Sequence, residues 1–161
     1  MKVINRNLLQ RLSEEARQSS RKRKNLNFHE SEADPIQHML NAFGYLTYVQ
    51  PHRHDNPPKR EVFIVLSGAL LVMFFNDSGL MTRHIELNPK KGNFAVEIEK
   101  GEWHCATALM EGTVVYEIKD GPYNPTTDKY FADWAPKEGD PMAETYLKRL
   151  IAQTGITINS K

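Results

Sequence analysis

The chain has a single cysteine, Cys105, in 161 residues. No intramolecular disulfide can form, which suits a reducing compartment. Long apolar runs are missing too. The longest, such as Ala69 to Phe75, falls far short of the ~20 residues that span a bilayer. Met1-Lys2-Val3-Ile4 leads into a polar, amphipathic stretch and not into an apolar h-region, so no secretory leader is expected. Neither sign of charge dominates. A net charge of +1 gives no argument for nucleic acid, and neither a nucleic-acid nor a membrane partner is expected. Repeats and low-complexity tracts are absent. The expectation is one cytoplasmic domain, long enough to bury a sizeable core.

Helical spacing is found at the two ends. Leu8, Leu9, Leu12 and Ala16, behind a cap at Asn5, predict a helix ending near Ser20. Arg21-Lys22-Arg23-Lys24 is a basic run, and Asn25 to His29 reads as irregular. Asp34-Pro35 offers a cap and a first-position proline. Ile36, Met39, Leu40 and Phe43 then give a short apolar face that Gly44 can end, which predicts a second helix. From Tyr45 onward the period is two. Strands are expected over 45–50, 61–66, 69–75, 82–87, 94–98, 104–109 and 113–118. Turns fall at Ser67-Gly68, Asn76-Asp77-Ser78-Gly79 and Glu111-Gly112. So many short strands point to a sandwich or barrel. The Pro-, Trp- and Tyr-rich stretch to Gly139 reads as a surface wrap. Asp140-Pro141 then opens a closing helix with Met142, Tyr146, Leu147, Leu150 and Ile151 on its apolar stripe. The organisation is therefore one domain over 1–161: an N-terminal helical extension (1–44), a β-barrel core (45–119), and a C-terminal wrap and helix (120–161).

Residues 62–66 and 70–75 are apolar at both parities. A barrel strand with one wet face would alternate. Both faces must be covered, by the terminal helices or by a second subunit, and a homodimer is expected.

The chemistry lies in four side chains. His52 and His54 sit in Pro51-His52-Arg53-His54, Glu61 opens Glu61-Val62-Phe63-Ile64-Val65-Leu66-Ser67-Gly68, and His104 ends Gly101-Glu102-Trp103-His104. Alternate strand residues point the same way, so an H-x-H pair aims two imidazoles at one place. A carboxylate and a third imidazole from other strands would complete a pocket. That donor set suits Fe, Mn, Ni, Zn or Cu better than Ca or Mg.

H-x-H, a later Glu, a Gly seven positions on, and Gly-x-x-His together resemble the two motifs of the cupin superfamily. Three details depart from that pattern: a longer gap between His54 and Glu61, Glu99 in place of a frequent Pro, and Ala108 in place of a frequent Asn. Further segments are Arg21-x-Arg23-x-Asn25-x-Asn27-Phe28-His29, Tyr48-x-x-Pro51-His52-Arg53-His54, Glu117-Ile118-Lys119-Asp120-Gly121-Pro122-Tyr123 and Phe131-x-x-Trp134-Ala135-Pro136. With these, the chain resembles the WbuC-like cupin-fold metalloprotein family from about Leu9 to about Leu150. The resemblance implies an all-β double-stranded β-helix, a jelly-roll barrel with N- and C-terminal helices. It implies a divalent transition metal (Zn, Fe, Mn or Ni) on His52, His54, Glu61 and His104. It also implies a sugar or sugar-nucleotide ligand in surface-polysaccharide (O-antigen type) metabolism. The expected activity is an isomerisation or epimerisation. The alternatives are a non-catalytic metal-dependent binding or sensing module and an Fe-dependent cupin dioxygenase.

Other residues are candidates around that pocket. Arg21, Arg23 and His29 either hold an anionic group through forked donors or form a solvated basic run behind a helix. Asn27 and Tyr123 join them as expected ligand contacts, although Tyr123 could equally pack at its turn. Glu117 and Lys119 share one strand face, opposite Tyr116 and Ile118. They form either a structural ion pair or, with His29, the proton-handling groups beside the metal. Cys105 follows His104, so it points to the other face and reads as a small buried thiol.

Overall fold

The computed structural model describes residues 1–158. The first element is α1 (Arg6–Gln18), where the Asn5 side chain accepts the Leu8 N–H at 3.0 Å. This satisfies one of the orphan donors of the first turn. Among the described residues ten strands follow: β1 (Arg23–Asn27), β2 (Ile36–Phe43), β3 (His52–Arg53), β4 (Glu61–Ser67), β5 (Leu70–Phe75), β6 (Met81–Leu87), β7 (Ala95–Ile98), β8 (Trp103–Ala108), β9 (Thr113–Asp120) and β10 (Tyr130–Phe131). Helix α2 (Ala143–Gln153) closes the chain. The strands form two five-stranded antiparallel sheets, ordered β1-β2-β9-β4-β7 and β10-β3-β8-β5-β6. This is the double-stranded β-helix that the sequence leads one to expect.

The N-terminal segment differs from expectation. No helix forms over 36–43; those residues are β2, paired with β1 on one side and with β9 on the other. Asp34 does accept a backbone N–H, from Ile36 at 3.1 Å, but in a local turn and not as a helix cap. A two-turn helix is marginal by itself. Pairing along both edges, with Leu40 and Ala42 buried under α1, outweighs the helical spacing. Asn25 to Asn27 are likewise part of a strand and not irregular. The barrel thus begins at Arg23, within the segment expected to be a helical extension. The expected strand over 45–50 shrinks to one bridge, Tyr45 to Ala108. Met142 is 59% exposed and lies outside the buried stripe of α2.

Between the sheets, Phe63, Val65, Leu70, Val72, Ala106, Ala108 and Val115 form the core. The inward positions change character along the strands. On β4 they run Glu61, Phe63, Val65; on β8, His104, Ala106, Ala108; on β9, Lys119, Glu117, Val115. One end of the barrel is therefore closed by apolar packing while the other presents ionisable groups. Gly68 lets β4 turn into β5: its φ is +75°, and a Cβ there would lie 2.3 Å from Thr113 Oγ1.

The outer faces are covered unequally. Leu71, Met73 and Phe75 of β5 pack against Tyr146, Leu147, Leu150 and Ile151 of α2 and against Ala132 and Ala135 of the wrap. Cys105 lies in this cluster, pointing away from His104, and burial pushes its thiol above the ordinary cysteine value. On the opposite sheet, α1 covers Leu40, Ala42 and Val114. Val62 and Ile64 of β4 stay half-buried, and Leu66 is 39% exposed.

Candidate metal centre

The register of the strands explains how the ligands meet. His52 of β3 lies directly opposite His104 of β8, with ring centroids 4.5 Å apart. His54, two residues beyond His52, faces the same way. Glu61 is the first inward residue of β4. One ligand atom from each of His52, His54, Glu61 and His104 falls within a cluster no more than 4.8 Å across, and all four residues are at most 4% exposed.

Each imidazole is oriented by a carbonyl. Nδ1 of His52 lies 3.0 Å from Gln50 O, Nδ1 of His104 lies 2.8 Å from Glu102 O, and Nδ1 of His54 makes a short contact with Asp128 O. A carbonyl only accepts, so each Nδ1 carries the hydrogen and each Nε2 turns a lone pair to the centre. Glu61 Oε2 lies 3.1 Å from His104 Nε2 and 3.5 Å from His54 Nε2. Acceptors facing each other at that distance repel unless a cation lies between them. His54 Nε2 is buried and has no hydrogen-bond partner among the described residues. An orphaned, lone-pair-bearing nitrogen in such a cluster is what an ion at ~2.0–2.2 Å would satisfy. The four residues fit a divalent transition metal.

Electrostatics agree with that fit. Burial, reinforced by the charge of Lys129, lowers His52 well below the ordinary histidine value, so it stays neutral as a ligand must. Burial by itself would raise Glu61, and positive charge at the centre outweighs burial and lowers it: without an ion that charge comes from His104 and His54 donating through Nε2, and a bound cation between Glu61 and neutral imidazoles would act in the same direction.

The cluster opens into a cavity of about 470 Å³. All the other expected site residues line it: Arg21, Arg23, Asn27, His29, Glu117, Lys119 and Tyr123. Their partners differ from expectation. Arg23 Nη2 lies 2.7 Å from both Glu138 oxygens, and Arg21 Nη2 lies 3.2 Å from Glu138 Oε2, so the two arginines share one carboxylate. Glu117 and Lys119 do not pair with each other. Glu117 accepts a short hydrogen bond from Asn41 Nδ2. Burial, together with the charge of Glu61, raises its carboxyl well above the ordinary range. Lys119 Nζ lies 2.6 Å from Asp128 Oδ2 and 5.6 Å from the centre of the Tyr123 ring. His29 Nδ1 lies 3.2 Å from the His38 N–H group that donates to it.

Sequence reasoning missed four residues. Lys59 and Asp128 are each at most 3% exposed, and Lys59 Nζ lies 2.8 Å from Asp128 Oδ1. With Lys119 they form a buried Lys-Asp-Lys network that meets the metal centre through the Asp128 carbonyl on His54. Glu138 and Lys129 also line the cavity. Nothing local marks these residues. They lie in loops, and the wrap reaches the histidines only in the folded chain, through the pairing of β10 with β3 and the contact of Asp128 with His54.

Several solved structures share this fold. CapF, a capsular polysaccharide assembling protein from Staphylococcus aureus, matches with a TM-score of 0.55 and 22% identity, over 66% of this chain and 28% of its own. The chain thus spans less than a third of the length of CapF. TT1209 from Thermus thermophilus matches with a TM-score of 0.51 and 18% identity, over 74% of this chain and 97% of its own. KdgF from Halomonas sp. matches with a TM-score of 0.50 and 17% identity, over 65% of this chain and 83% of its own. At such identities the likeness establishes the fold, which is that of the cupins. No curated protein matches the chain in sequence. One family model does match, over residues 4–87, a span that holds His52, His54 and Glu61 and just over half of the chain. The chain belongs to that family, described as a domain of unknown function (DUF6016).

Proposed function

We propose that this protein is a WbuC-like metal-binding cupin whose cavity takes a sugar or sugar-nucleotide in surface-polysaccharide metabolism. The observation that carries this is the buried His52-His54-Glu61-His104 cluster at the foot of a polar cavity, with an orphaned nitrogen aimed into it. A role in polysaccharide metabolism is supported by the fold shared with the capsular polysaccharide assembling protein CapF.

A divalent ion on the four ligands would supply Lewis-acid polarisation of a ligand oxygen. The chain's own groups do the rest. The carboxyl of Glu117, raised well above the ordinary range by burial and by the neighbouring Glu61, is the group offered for proton transfer. Asp128 holds Lys119 as a fixed cation, and Tyr123 stacks over that cation at the cavity wall. Arg21, Arg23, Asn27 and His29 present donors along the β1 side. A cavity of this size falls in the range of small-molecule sites, ~300–1,000 Å³.

A homodimer belongs to the same proposal. Val62, Ile64 and Leu66 form an apolar stripe on the outer face of β4, beside part-buried Ile118 on β9 and beyond the cover of α1. A cytoplasmic location fits the unpaired, buried Cys105. Among the described residues no helix is long and apolar enough to cross a membrane.

The test is thermal melting of metal-loaded protein with UDP-glucose. The expected result is a melting temperature that rises with ligand concentration, an effect absent in His52→Ala. No shift with the metal-loaded wild type would overturn a sugar-nucleotide role.

A further inference from the structure

Two of the four candidate ligands sit on a strand that the backbone holds weakly. β3 is two residues long and meets β8 at a single pair, His52 opposite His104, while β5 and β8 share six pairs. His54 already lies beyond β3, where a loop begins. What β3 lacks in ladder it has in side chains on its outer face. Arg53 stands between His52 and His54 and so points away from the cluster. The register sets it in one row with Tyr130 of β10 and, one step along from the His52–His104 pair, with Trp103 of β8. Its guanidinium carbon lies 4.7 Å from the centre of the Trp103 ring and 5.4 Å from that of Tyr130, and those rings are 5.8 Å apart. One terminal nitrogen reaches Asp55 Oδ2 at 3.0 Å, and the other reaches Asp77 Oδ1 at 3.3 Å. The same Asp77 oxygen accepts the Trp103 indole N–H at 2.9 Å. Asp77 stands in a turn where Asn76 Oδ1 accepts the backbone N–H groups of Ser78 and Leu80.

This outer set is joined in sequence to the centre. Arg53 adjoins His52 and His54, Trp103 adjoins His104, and Tyr130 adjoins Phe131, whose ring lies 5.9 Å from that of His52. We propose that Arg53 is a positioning residue for the metal centre: through Trp103, Tyr130 and Asp77 it locks β3 to β8 and β10, and so holds the three imidazoles at ligand spacing. The ion pairs are not the main source of the hold, since Asp77 is 89% exposed and such pairs are worth little. A guanidinium lying over two rings, one of them only 7% exposed, restrains a short strand more. Groups that orient metal ligands from outside shift metal affinity by ~10–100-fold. The inference rests on the four residues holding a metal, and it assigns part of that work to a side chain that points away from them.

The experiment is zinc titration in competition with a chromophoric chelator, together with the visible absorption spectrum of cobalt-loaded protein. Both are read on wild type, Arg53→Met, Arg53→Lys, Tyr130→Ala and Gly68→Ala. Arg53→Met should bind zinc about tenfold more weakly, or worse, and should shift the cobalt bands. Arg53→Lys keeps a cation over the rings and should recover part of the affinity. Tyr130→Ala removes one ring from an exposed position and should weaken zinc in the same direction. Gly68→Ala, at the closed end of the barrel, supplies the comparison: a lower melting temperature with wild-type zinc affinity and cobalt spectrum. Wild-type affinity and spectrum in Arg53→Met or in Tyr130→Ala overturn the proposal. So does an equal loss of zinc in Gly68→Ala, which would mark a general effect of stability. A wild type that binds neither ion overturns the metal reading and this proposal with it, and that failure is visible without any variant.

Discussion

Asp128→Asn tests whether the buried network is read correctly. In the wild type, Asp128 Oδ1 lies 2.8 Å from Lys59 Nζ and Oδ2 lies 2.6 Å from Lys119 Nζ. All three side chains are at most 4% exposed. Asparagine keeps the shape but leaves two buried ammoniums without a carboxylate. Breaking a buried pair by removing one partner costs ~3–5 kcal/mol. For a chain of this length each kcal/mol moves the melting temperature by ~2–4 °C, so a fall of ~6–20 °C is expected. Metal content should not change, because the contact with His54 is made by the backbone carbonyl of Asp128, which asparagine retains. The pH dependence supplies a sign. Burial raises Asp128, but Lys119 and Lys59 outweigh it, and the folded value lies below the ordinary one. Its stabilisation is therefore complete above the unfolded-chain value of ~3.9 and lost as pH falls through the lower folded value. Asp128→Asn should lack that acid-side loss. Thermal denaturation followed by circular dichroism at pH 7 and at stepped lower pH reads both effects. A variant within ~1 kcal/mol of wild type, with the same acid profile, would refute the reasoning.

Three further outcomes follow from the structure. Stripping metal with a chelator should lower the melting temperature, because an ion at a hundred times its Kd stabilises the fold by ~2.7 kcal/mol, or ~5–11 °C here; scanning calorimetry before and after reloading checks it. Gly68→Ala should destabilise by at least ~1–3 kcal/mol, read by urea denaturation, since the residue has φ +75° and its Cβ would meet Thr113 Oγ1. The wild type should elute and scatter light as a dimer, and Ile64→Glu on the outer face of β4 should give a monomer that still binds metal; a monomeric wild type would remove the dimer from the account.

The barrel strands from β4 to β9, and the places of the candidate ligands on them, were legible because period-two alternation is a local signal. Glu61 and His104 needed only their places as inward residues of β4 and β8. Helix α1 was legible from its cap and its spacing. The helix expected over 36–43 failed because Ile36, Met39, Leu40 and Phe43 fit both periods over so short a run, and β9, almost eighty residues away in sequence, decided between them. Arg21 and Arg23 were recognised as cavity residues, but Glu138, which holds them, lies more than a hundred positions later. Lys59, Asp128 and Lys129 sit in loops without periodicity, and their chemistry exists only once the wrap has folded back beside the histidines.

The most direct test of the metal centre is elemental mass spectrometry on untagged protein purified without chelator, beside His52→Ala and His104→Ala. The expected result is close to one equivalent of transition metal in the wild type and its loss in both variants, each of which removes one Nε2 ligand from the cluster. Wild-type protein that holds no metal, even after reconstitution with Fe, Mn, Ni and Zn, would contradict the account.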